Sequence, residues 1–572
     1  MAADGPKAAE AEEEAPLAPT RVDQLAPIVA GLLLAAPTLL TRYPPMSDLP
    51  LHEGAVGVLR HFGDPAYFPD GLYKLNIGHP NQMFHIASWI LSYAVPTDWA
   101  VKIVIALSQI FIFHAAAKLS DHLGRSRWGA VLLAPLALGF TYYWGLVANL
   151  IGYAVFLYSL PLFDRYALAP TPRGLAKTCG MFVLLYFAHE SMFGVGAAVV
   201  GLFAILQPLD PKKTALRIAP VFFAVGSGYL HLVIQAKLYP SGAVVSPATF
   251  FSFAQKLYFF PNVLFGSHEM EALLMLLGLC AVSALGFVHA RAKHDPTPDT
   301  TLEGSPGLLG LRAKLFRFRF EALSAFFLFA YFALPFNWNG ATLLHERCLG
   351  PAWALFVLCA APRDVPGRIA RIAAAVVPVA ILFVSWPQFY DASKTYTDLD
   401  AILARVPQGR AVTLCAVDRT TYRTRVYSAA VGSGRALAVK GGRAGMSLTI
   451  SPISPVLLDP KYRWDEFDRR IVVQGSRALK PPYDLRRFDW VIAQSRDPGT
   501  RKYLESAFKP EAKLVMEQGE WLLFQSTAEP APLLSPQLVP PPGEPTILDR
   551  IMYLSKHDKP ADDPKPKLEN EN

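Results

Sequence analysis

The feature that most constrains the fold of this chain is a series of long apolar runs separated by short polar segments. An α-helix needs about 20 predominantly apolar residues to cross the hydrocarbon core of a bilayer. Runs of that kind, some shortened at prolines, predict eleven membrane spans. The predicted spans are 24–42, 99–118, 128–144, 148–166, 175–188, 192–206, 215–237, 271–290, 322–336, 348–361 and 369–386. We therefore expect a mainly α fold, a polytopic membrane helix bundle.

The composition excludes several other classes of protein. Charged residues make up 17% of the chain and apolar residues 52%, whereas soluble domains carry roughly 25% charged residues. These values exclude a mostly soluble enzyme, a disordered scaffold and a coiled coil. The net charge of +8 would suit a nucleic-acid-binding protein. Its basic residues, however, lie in short clusters between apolar runs, as in the cytoplasmic loops of membrane proteins. We expect no nucleic-acid partner.

The basic clusters also predict the orientation of the bundle. With the N-terminus inside, every inner loop contains at least three Lys or Arg residues and the outer loops contain few. The apolar segment 80–95 is short and flanked by prolines. Counting it as a span would place the later basic clusters outside, so we expect it to lie at the membrane interface.

The chain divides into four parts by composition. Residues 1–21 and the Pro-rich segment 528–572 are predicted to be disordered tails. Residues 22–387 form the predicted transmembrane domain with a large outer loop at 43–98. Residues 388–527 contain strand-like and helix-like segments and predict a small extracytoplasmic α/β domain. They include predicted strands at 411–416, 489–493, 513–517 and 521–525, predicted helices at 397–405 and 499–508, and a glycine-rich stretch at 431–445 that we interpret as a mobile loop.

Three ionisable residues open the first outer loop, just after the first span. Asp48 and His52 are four residues apart, so they share a face if the segment is helical. Glu53 follows directly. Asp48 has two interpretations: a general base, or an N-cap for a helix that begins at Leu49. His52 and Glu53 are candidate catalytic partners of Asp48.

His-Glu dipeptides are more frequent than chance predicts, and all of them fall in predicted outer loops or helix ends. They are His52-Glu53, His189-Glu190, His268-Glu269 and His345-Glu346. Imidazole and carboxylate groups together bind divalent metals, so His52, Glu53, His189 and Glu190 are candidate ligands of a divalent ion. The alternative is that these polar residues mark the membrane interface.

Two further outer elements have chemistry suited to a phosphorylated sugar. Arg347 follows His345-Glu346 at the start of a predicted span, and its guanidinium matches the geometry of a phosphate. It could equally reach lipid headgroups or pair with Glu346. Asn149, within the aromatic segment YYWGLVANLIGY (142–153), could contact a sugar or belong to an aromatic belt. His189, Glu190 and His345 complete the predicted substrate-binding set.

Short motifs along residues 25–525 resemble the GT-C class of membrane glycosyltransferases and a group of bacterial membrane proteins allied to it. They are PPMSDLPLH (44–52), WGLVANLIG (144–152), FAHES (187–191), HERCLGP (345–351) and LDAILARVPQGRAVTL (399–414). The resemblance implies a protein of the bacterial inner membrane that uses a polyprenyl-phosphate-linked sugar donor. It also implies an acceptor on the outer face and an acidic residue of the first loop as base or metal ligand.

The sequence thus predicts a membrane glycosyltransferase whose partners are a lipid-linked donor and membrane lipids. The alternative is a non-catalytic protein, either a transporter of lipid-linked saccharides or an envelope-assembly scaffold. Transporters place polar residues near the midplane of broken helices. In this chain the ionisable residues lie at the outer ends of the spans, which favours chemistry at the outer face.

Overall fold

The structure is a computed structural model. It describes residues 20–207, 210–238, 247–266, 273–279, 308–338, 341–417, 432–463, 467–468, 470–471, 478–481, 483–527, 544–547 and 549. Most of both predicted tails, most of the predicted span 271–290 and the pair His268-Glu269 lie outside the described residues.

The described residues are mainly helical. The helices are α1 (Arg21–Leu40), α2 (Leu49–Arg60), α3 (Met83–Leu91), α4 (Thr97–His122), α5 (Trp128–Val131), α6 (Ala134–Ala137), α7 (Phe140–Trp144), α8 (Val147–Leu168), α9 (Pro172–Ala188), α10 (Glu190–Leu206), α11 (Pro211–Leu238), α12 (Phe253–Phe265), α13 (Leu308–Arg317), α14 (Arg319–Ala333), α15 (Glu346–Ala360), α16 (Arg368–Ala404), α17 (Ser433–Lys440) and α18 (Pro498–Phe508). The strands are β1 (Tyr73–Leu75), β2 (Asn337–Trp338), β3 (Ala341–Thr342), β4 (Ala411–Ala416), β5 (Arg443–Ala444), β6 (Val456–Leu458), β7 (Trp490–Gln494), β8 (Ala512–Gln518) and β9 (Trp521–Ser526).

Five helices in the described part of the chain are long and apolar enough to cross a membrane, namely α1, α4, α8, α11 and α16. Each corresponds to a predicted span. Helices α9 and α10 have 17 residues each, and α14 and α15 have 15 each. Membrane-crossing helices have about 17–25 residues, so α9 and α10 lie at the lower limit of that range and α14 and α15 lie below it. The predicted count of eleven spans is therefore not established.

The predicted span 128–144 is not a single helix but three short ones, α5, α6 and α7. Pro135 lies at the start of α6 and cannot donate a helical hydrogen bond. Gly139 separates α6 from α7, and a Cβ atom there would lie 2.2 Å from the Pro135 carbonyl oxygen. The close backbone approach at Gly139 and the proline together explain why an apolar run of this length does not continue as one helix.

The loops between helices gather at two opposite ends of the bundle. At one end, Asp23 pairs with Arg371 at 3.2 Å and accepts from Trp128 Nε1 at 2.9 Å. At the other, the amide of Asp48 donates to the carbonyl of Trp144 at 3.1 Å. We call these the Asp23 end and the Asp48 end. The loops that the charge pattern predicts to be cytoplasmic meet at the Asp23 end.

Ion pairs hold the helices together at the Asp23 end. Arg319 donates to both carboxylate oxygens of Asp164, at 2.6 and 2.7 Å. The ring of His122 lies 2.7 Å from the same carboxylate. Because these residues belong to α14, α8 and α4, the cluster ties three helices together. Arg217 also donates to the carbonyl of Ala167 at 2.7 Å, where α8 ends and its last carbonyls need partners.

The C-terminal part contains a five-stranded sheet in the order β5-β4-β7-β9-β8. The first three strands are parallel and the remaining pairs antiparallel. The predicted domain boundary at residue 387 does not coincide with a break in secondary structure, because α16 continues without interruption from 368 to 404. Phe389, Tyr396, Leu399 and Ile402 are each at most 1% exposed, so one face of the helix stays buried beyond the span.

The predicted mobile loop at 431–445 is also wrong, since residues 433–440 form helix α17 and 443–444 form β5. Gly434 in α17 allows this helix to approach α2 closely, because a Cβ on Gly434 would lie 2.1 Å from the carbonyl oxygen of Pro50. On the facing helix α2, a Cβ on Gly57 would lie 2.6 Å from the Cα of Ala438. The small residues therefore permit backbone contact between α2 and α17.

The first outer loop and the C-terminal part are joined in a second place. Strand β1 pairs antiparallel with β6, with Tyr73 opposite Leu458. The side chain of Asn76 donates to the carbonyls of Pro452 and Ser454 at 2.8 and 2.7 Å. The residues predicted as loop 43–98 thus pack as one body with residues 432–463.

Candidate functional site

Asp48 lies at the junction between the first span and the body that caps the bundle. Its amide and that of Ser47 donate to the carbonyls of Trp144 and Tyr143, which holds the segment against α7. Gly145, with φ of 76°, turns the chain here, and a Cβ on it would lie 2.7 Å from the Asp48 nitrogen. This turn requires glycine for both its conformation and its close contact.

The side chain of Asp48 does not cap helix α2. Asp48 occupies the residue before Leu49, but its carboxylate makes no capping hydrogen bond. The residue is half-buried. Burial raises the pKa of the Asp48 carboxyl to about 7, while the Arg347 guanidinium lowers it. The capping interpretation is therefore not supported, and Asp48 is a carboxyl group able to exchange a proton near neutral pH.

Arg347 lies at the start of α15 and faces the same region. Its Nη1 lies 3.3 Å from His189 Nε2, and its buried Nε has no hydrogen-bond partner. The ion pairs of the described residues do not include Arg347. Tyr153 donates its hydroxyl to the Arg347 carbonyl at 3.0 Å, which holds the backbone of α15 against α8. A guanidinium at a membrane boundary without a carboxylate partner is typical of an anion site.

Two other buried residues in this region each have a polar side-chain atom without a hydrogen-bond partner. His189 packs over Gly152, where a Cβ would lie 2.5 Å from the histidine Cβ. The buried Nδ1 of His189 and Nδ2 of Asn149 have no hydrogen-bond partner. Because buried polar groups in proteins are nearly always hydrogen-bonded, these atoms, with Arg347 Nε, make this region a candidate site for a polar ligand.

Glu190 lies next to this group and is positioned by a residue that the sequence did not single out. Its amide donates to the Asn81 side-chain oxygen at 2.8 Å. Asn81 has φ of 65°, in the left-handed region that asparagine tolerates better than most residues. The electrostatic field of Glu190 reaches Arg347. The structure therefore brings Asp48, Glu190 and Arg347 to one end of the bundle.

Glu53, predicted as catalytic and as a metal ligand, has a different role. Its carboxylate pairs with Arg435 and accepts from the Tyr43 hydroxyl at 2.9 Å. Arg435 also donates to Asp400 at 2.9 and 3.1 Å. Glu53 is 1% exposed and Arg435 3%. Glu53 belongs to an ion-pair cluster that joins α2, α17 and α16, and both of its carboxylate oxygens have hydrogen-bond partners within the chain.

His52 lies close to Asp48 but is paired with another histidine. Its Nδ1 is 2.9 Å from His85 Nε2. Burial lowers the pKa of His52 to about 4, although a backbone hydrogen bond at Gly145 opposes this effect. Both burial and His52 lower the pKa of His85. The pair is thus uncharged near pH 7 and connects α2 with α3.

His345, predicted to bind substrate, is instead packed among aromatic rings. It is 2% exposed, and its ring lies 5.4 Å from that of Tyr331 and 5.6 Å from that of Phe251. Its Nδ1 lies 2.9 Å from Glu346. These contacts pack the residue before α15 against α14 and against the segment that precedes α12.

The predicted metal ligands do not converge. His52 faces His85, Glu53 pairs with Arg435, and His189 contacts Arg347. Within the described residues no group of three or more His, Cys, Asp or Glu side chains could hold a metal ion. The divalent ion stays a prediction from the sequence, and we assign no residue of the site to it.

Comparison with known proteins returned structures but no sequence relatives. No protein-family model and no curated protein matches the chain. The crystal structure of ArnT from Cupriavidus metallidurans bound to undecaprenyl phosphate aligns with a TM-score of 0.47 at 12% identity, covering 91% of this chain and 100% of that one. The apo structure of the same protein gives 0.48 at 10% identity, covering 91% and 99%.

ArnT is a GT-C glycosyltransferase, the class that the sequence motifs resemble. At these TM-scores and identities, the alignments carry no conclusion about function. That conclusion depends on the residues of this chain.

Proposed function

We propose that this protein is an integral membrane glycosyltransferase that moves a sugar from a polyprenyl-phosphate-linked donor to an acceptor hydroxyl at the Asp48 end of the bundle. The observation that carries the proposal is the pair of ionisable groups at this end. Asp48 is a carboxyl group without a capping bond, and Arg347 is a guanidinium outside the ion pairs of the described residues. Sugar transfer from a lipid phosphate requires one base and one cation.

In the proposed reaction, Asp48 accepts the proton of the acceptor hydroxyl as its oxygen attacks the anomeric carbon of the donor sugar. The bond between that carbon and the phosphate oxygen breaks, and the lipid phosphate leaves with the bonding electrons. Arg347 offsets the charge that develops on this phosphate, and its Nε is a donor free to do so. Asn149 and His189 supply further polar atoms for the sugar or the phosphate.

The proposal places the reaction on the outer face of the membrane, on the basis of the charge pattern of the loops. Reporter fusions at Asp70 and Gly409 test that orientation, because both residues lie in the body that caps the Asp48 end. We expect both to report an extracytoplasmic position. A cytoplasmic signal from either fusion would contradict the topology.

The decisive experiment measures transfer from radiolabelled polyprenyl-phosphate sugars into membrane acceptors, comparing the wild type with Asp48→Asn. Loss of a general base costs about 10²- to 10⁴-fold in rate, whereas donor binding should persist. Asp70→Asn is the matched control, since Asp70 is an exposed residue of the same loop. Full-rate transfer by Asp48→Asn, or no transfer by the wild type with any donor, would leave the transporter or scaffold as the better interpretation.

A further inference from the structure

Helix α12 and the residues just before it have the reverse of the polarity that a water-exposed segment shows. Residues 249–266 include a single charged residue, Lys256, and it is 1% exposed. Its Nζ donates to the carbonyls of Phe332 and Leu334 at 2.9 and 2.6 Å, where α14 ends. The last carbonyls of a helix lack partners within the helix itself. The charge of this segment is therefore directed into the protein and not towards solvent.

The exposed surface of the same segment is apolar and aromatic. Five large side chains are each 56–66% exposed, namely Phe250, Phe253, Leu257, Tyr258 and Trp338. Phe253 and Leu257 are one helical turn apart, so they share a face of α12. A bridge between Thr249 and Asn337 places the start of the segment beside β2, which contains Trp338. We call these five exposed residues the α12 face.

The α12 face continues the outer surface of the bundle. Helix α14 runs from the Asp23 end to the Asp48 end, and Phe326 and Phe329 are exposed along it. The ring of Phe253 lies 4.9 Å from that of Phe332, in the last turn of α14. The apolar surface of α14 thus extends without a break over α12. The lipid that surrounds the bundle along α14 is therefore placed to cover the α12 face as well.

The length of α12 fits the membrane interface rather than a span. Its 13 residues extend about 20 Å at 1.5 Å per residue, whereas the hydrocarbon core is about 30 Å thick. A capping box of Ser252 and Gln255 starts the helix, and Gly266 ends it in a left-handed conformation. Aromatic side chains collect at the level of the lipid headgroups, and four of the five residues of the α12 face are aromatic.

We infer that the α12 face is embedded in the bilayer leaflet at the Asp48 end, with its side chains between the headgroups and the first acyl carbons. Short helices with one apolar face bind membrane interfaces in this way, because the apolar area leaves water. The lipid surface is thus the partner of a segment that the sequence places in an outer loop, between the predicted spans 215–237 and 271–290. The inference does not depend on the proposed reaction, since the α12 face includes neither Asp48 nor Arg347.

The first test maps contact with lipid. Full-length protein is reconstituted in nanodiscs with a phospholipid that carries a diazirine near the carbonyl end of its acyl chain. After irradiation, mass spectrometry of the digested protein locates the adducts. We expect adducts within residues 250–258 at a yield similar to that at Phe383, an exposed residue of the candidate span α16. Val515, exposed on β8, is the control and should remain unlabelled. A yield within 250–258 as low as that at Val515 would contradict the inference.

The second test measures access of water to the same face. Leu257→Cys and Val515→Cys are treated in nanodiscs with a membrane-impermeant maleimide, and the two labelled peptides are quantified separately. We expect Leu257→Cys to react about tenfold more slowly, because an apolar environment raises the pKa of a thiol and reduces its thiolate fraction. Equal rates would show that water covers the face and would overturn the inference.

The two tests together also distinguish lipid from protein. Slow maleimide reaction at Leu257→Cys without lipid adducts in 250–258 would show that protein, such as a second copy of the chain, covers the α12 face, and the inference would then be wrong. Slow reaction with lipid adducts is the result that supports it. If Leu257→Cys does not fold, photolabelling of the wild type decides the question by itself.

Discussion

Two arginines at the Asp48 end, the buried Arg435 and the half-buried Arg347, differ in what surrounds them. Arg435 pairs with Glu53 and donates twice to Asp400, so its charge is compensated by carboxylates from two other elements. Within the described residues, the hydrogen-bond contact of the Arg347 side chain is with the ring of His189, at 3.3 Å. Its Nε has no hydrogen-bond partner. The two residues have the same side chain and lie at the same end of the bundle. Only Arg435 forms close ion pairs with carboxylates among the described residues.

This difference separates an arginine whose charge is compensated within the chain from one that is a candidate for ligand binding. Taking a guanidinium out of water is costly unless carboxylates and hydrogen bonds replace the water. The Arg435 cluster meets that condition within the chain, so it stabilises the contact between the first outer loop and the C-terminal part. Arg347 does not meet it within the described residues, and we propose an anionic ligand as its partner. Substitutions of the two arginines should therefore change different measured quantities.

The largest effect on stability should follow Arg435→Met. Removing one partner of a buried ion pair leaves the other as an uncompensated charge and costs about 3–5 kcal/mol. Apparent Tm in detergent measures the loss, with Arg347→Met as the matched control that should unfold near the wild-type temperature. The double variant Arg435→Met with Glu53→Gln should lose less stability than the sum of the losses of the two single variants, because the unpaired Glu53 charge is removed as well. An equal decrease in Tm for Arg435→Met and Arg347→Met would contradict the proposed difference between the two arginines.

The next effect concerns donor binding. Arg347→Ala should weaken binding of a polyprenyl phosphate about 10- to 100-fold, the usual contribution of a hydrogen bond to a charged group. Arg347→Lys should restore only part of it, because an ammonium cannot make the two parallel bonds of the guanidinium. Binding to the purified protein is the measurement, and Arg60→Ala, a cation on α2, is the control. Wild-type affinity in Arg347→Ala would remove the assignment.

A smaller effect lies in the pH dependence of transfer. Burial raises the pKa of Asp48 to about 7, and the base must be deprotonated, so kcat/KM should rise through pH 7 and level off above it. Arg347 lowers this pKa, so Arg347→Gln should move the rise to higher pH. A profile that is flat between pH 6 and 8 in the wild type would contradict the role of Asp48 as base.

The smallest effect concerns the histidine pair. Burial lowers the pKa of His52 to about 4, and burial together with His52 lowers the pKa of His85 well below its usual range. The unfolded chain therefore binds more protons than the native one below pH 6.5. Stability should therefore fall as the pH decreases from 6.5 towards 4. His85→Phe removes one of these groups and should lose less stability between pH 7 and 5 than the wild type. If the decrease in apparent Tm between pH 7 and pH 5 is the same in His85→Phe as in the wild type, the histidine pair is not neutral in the native state.

Residues next to the ends of spans were predictable because their chemistry is visible without a fold. Asp48, His189 and Arg347 are ionisable groups beside apolar runs, and such groups are costly at membrane depth unless they have a function. Their convergence at the Asp48 end follows from that placement. Glu53 and His345 have the same chemistry and the same placement, yet the structure pairs Glu53 with Arg435 and packs His345 among aromatic rings. Neighbours in sequence could not distinguish these cases.

Other partners could not be predicted from local sequence at all. Arg435 lies 382 residues after Glu53, in a glycine-rich stretch that has the composition of a loop. The same glycines are what allow α17 to contact the backbone of α2, where Gly434 meets Pro50. Asn81, which accepts from the amide of Glu190, belongs to a segment that we expected only to lie at the interface.

The sequence by itself determined the helical character of the chain, the approximate positions of its longest spans and the two ends to which its polar residues belong. These properties depend on the length and polarity of short segments, because the cost of burying a polar group or exposing an apolar one is local. Only the tertiary structure decided which ionisable groups are compensated. Hydrogen bonds and close ion pairs act over a few ångströms. They join residues hundreds of positions apart, such as Glu53 and Arg435, whereas no close ion pair of the described residues includes Arg347.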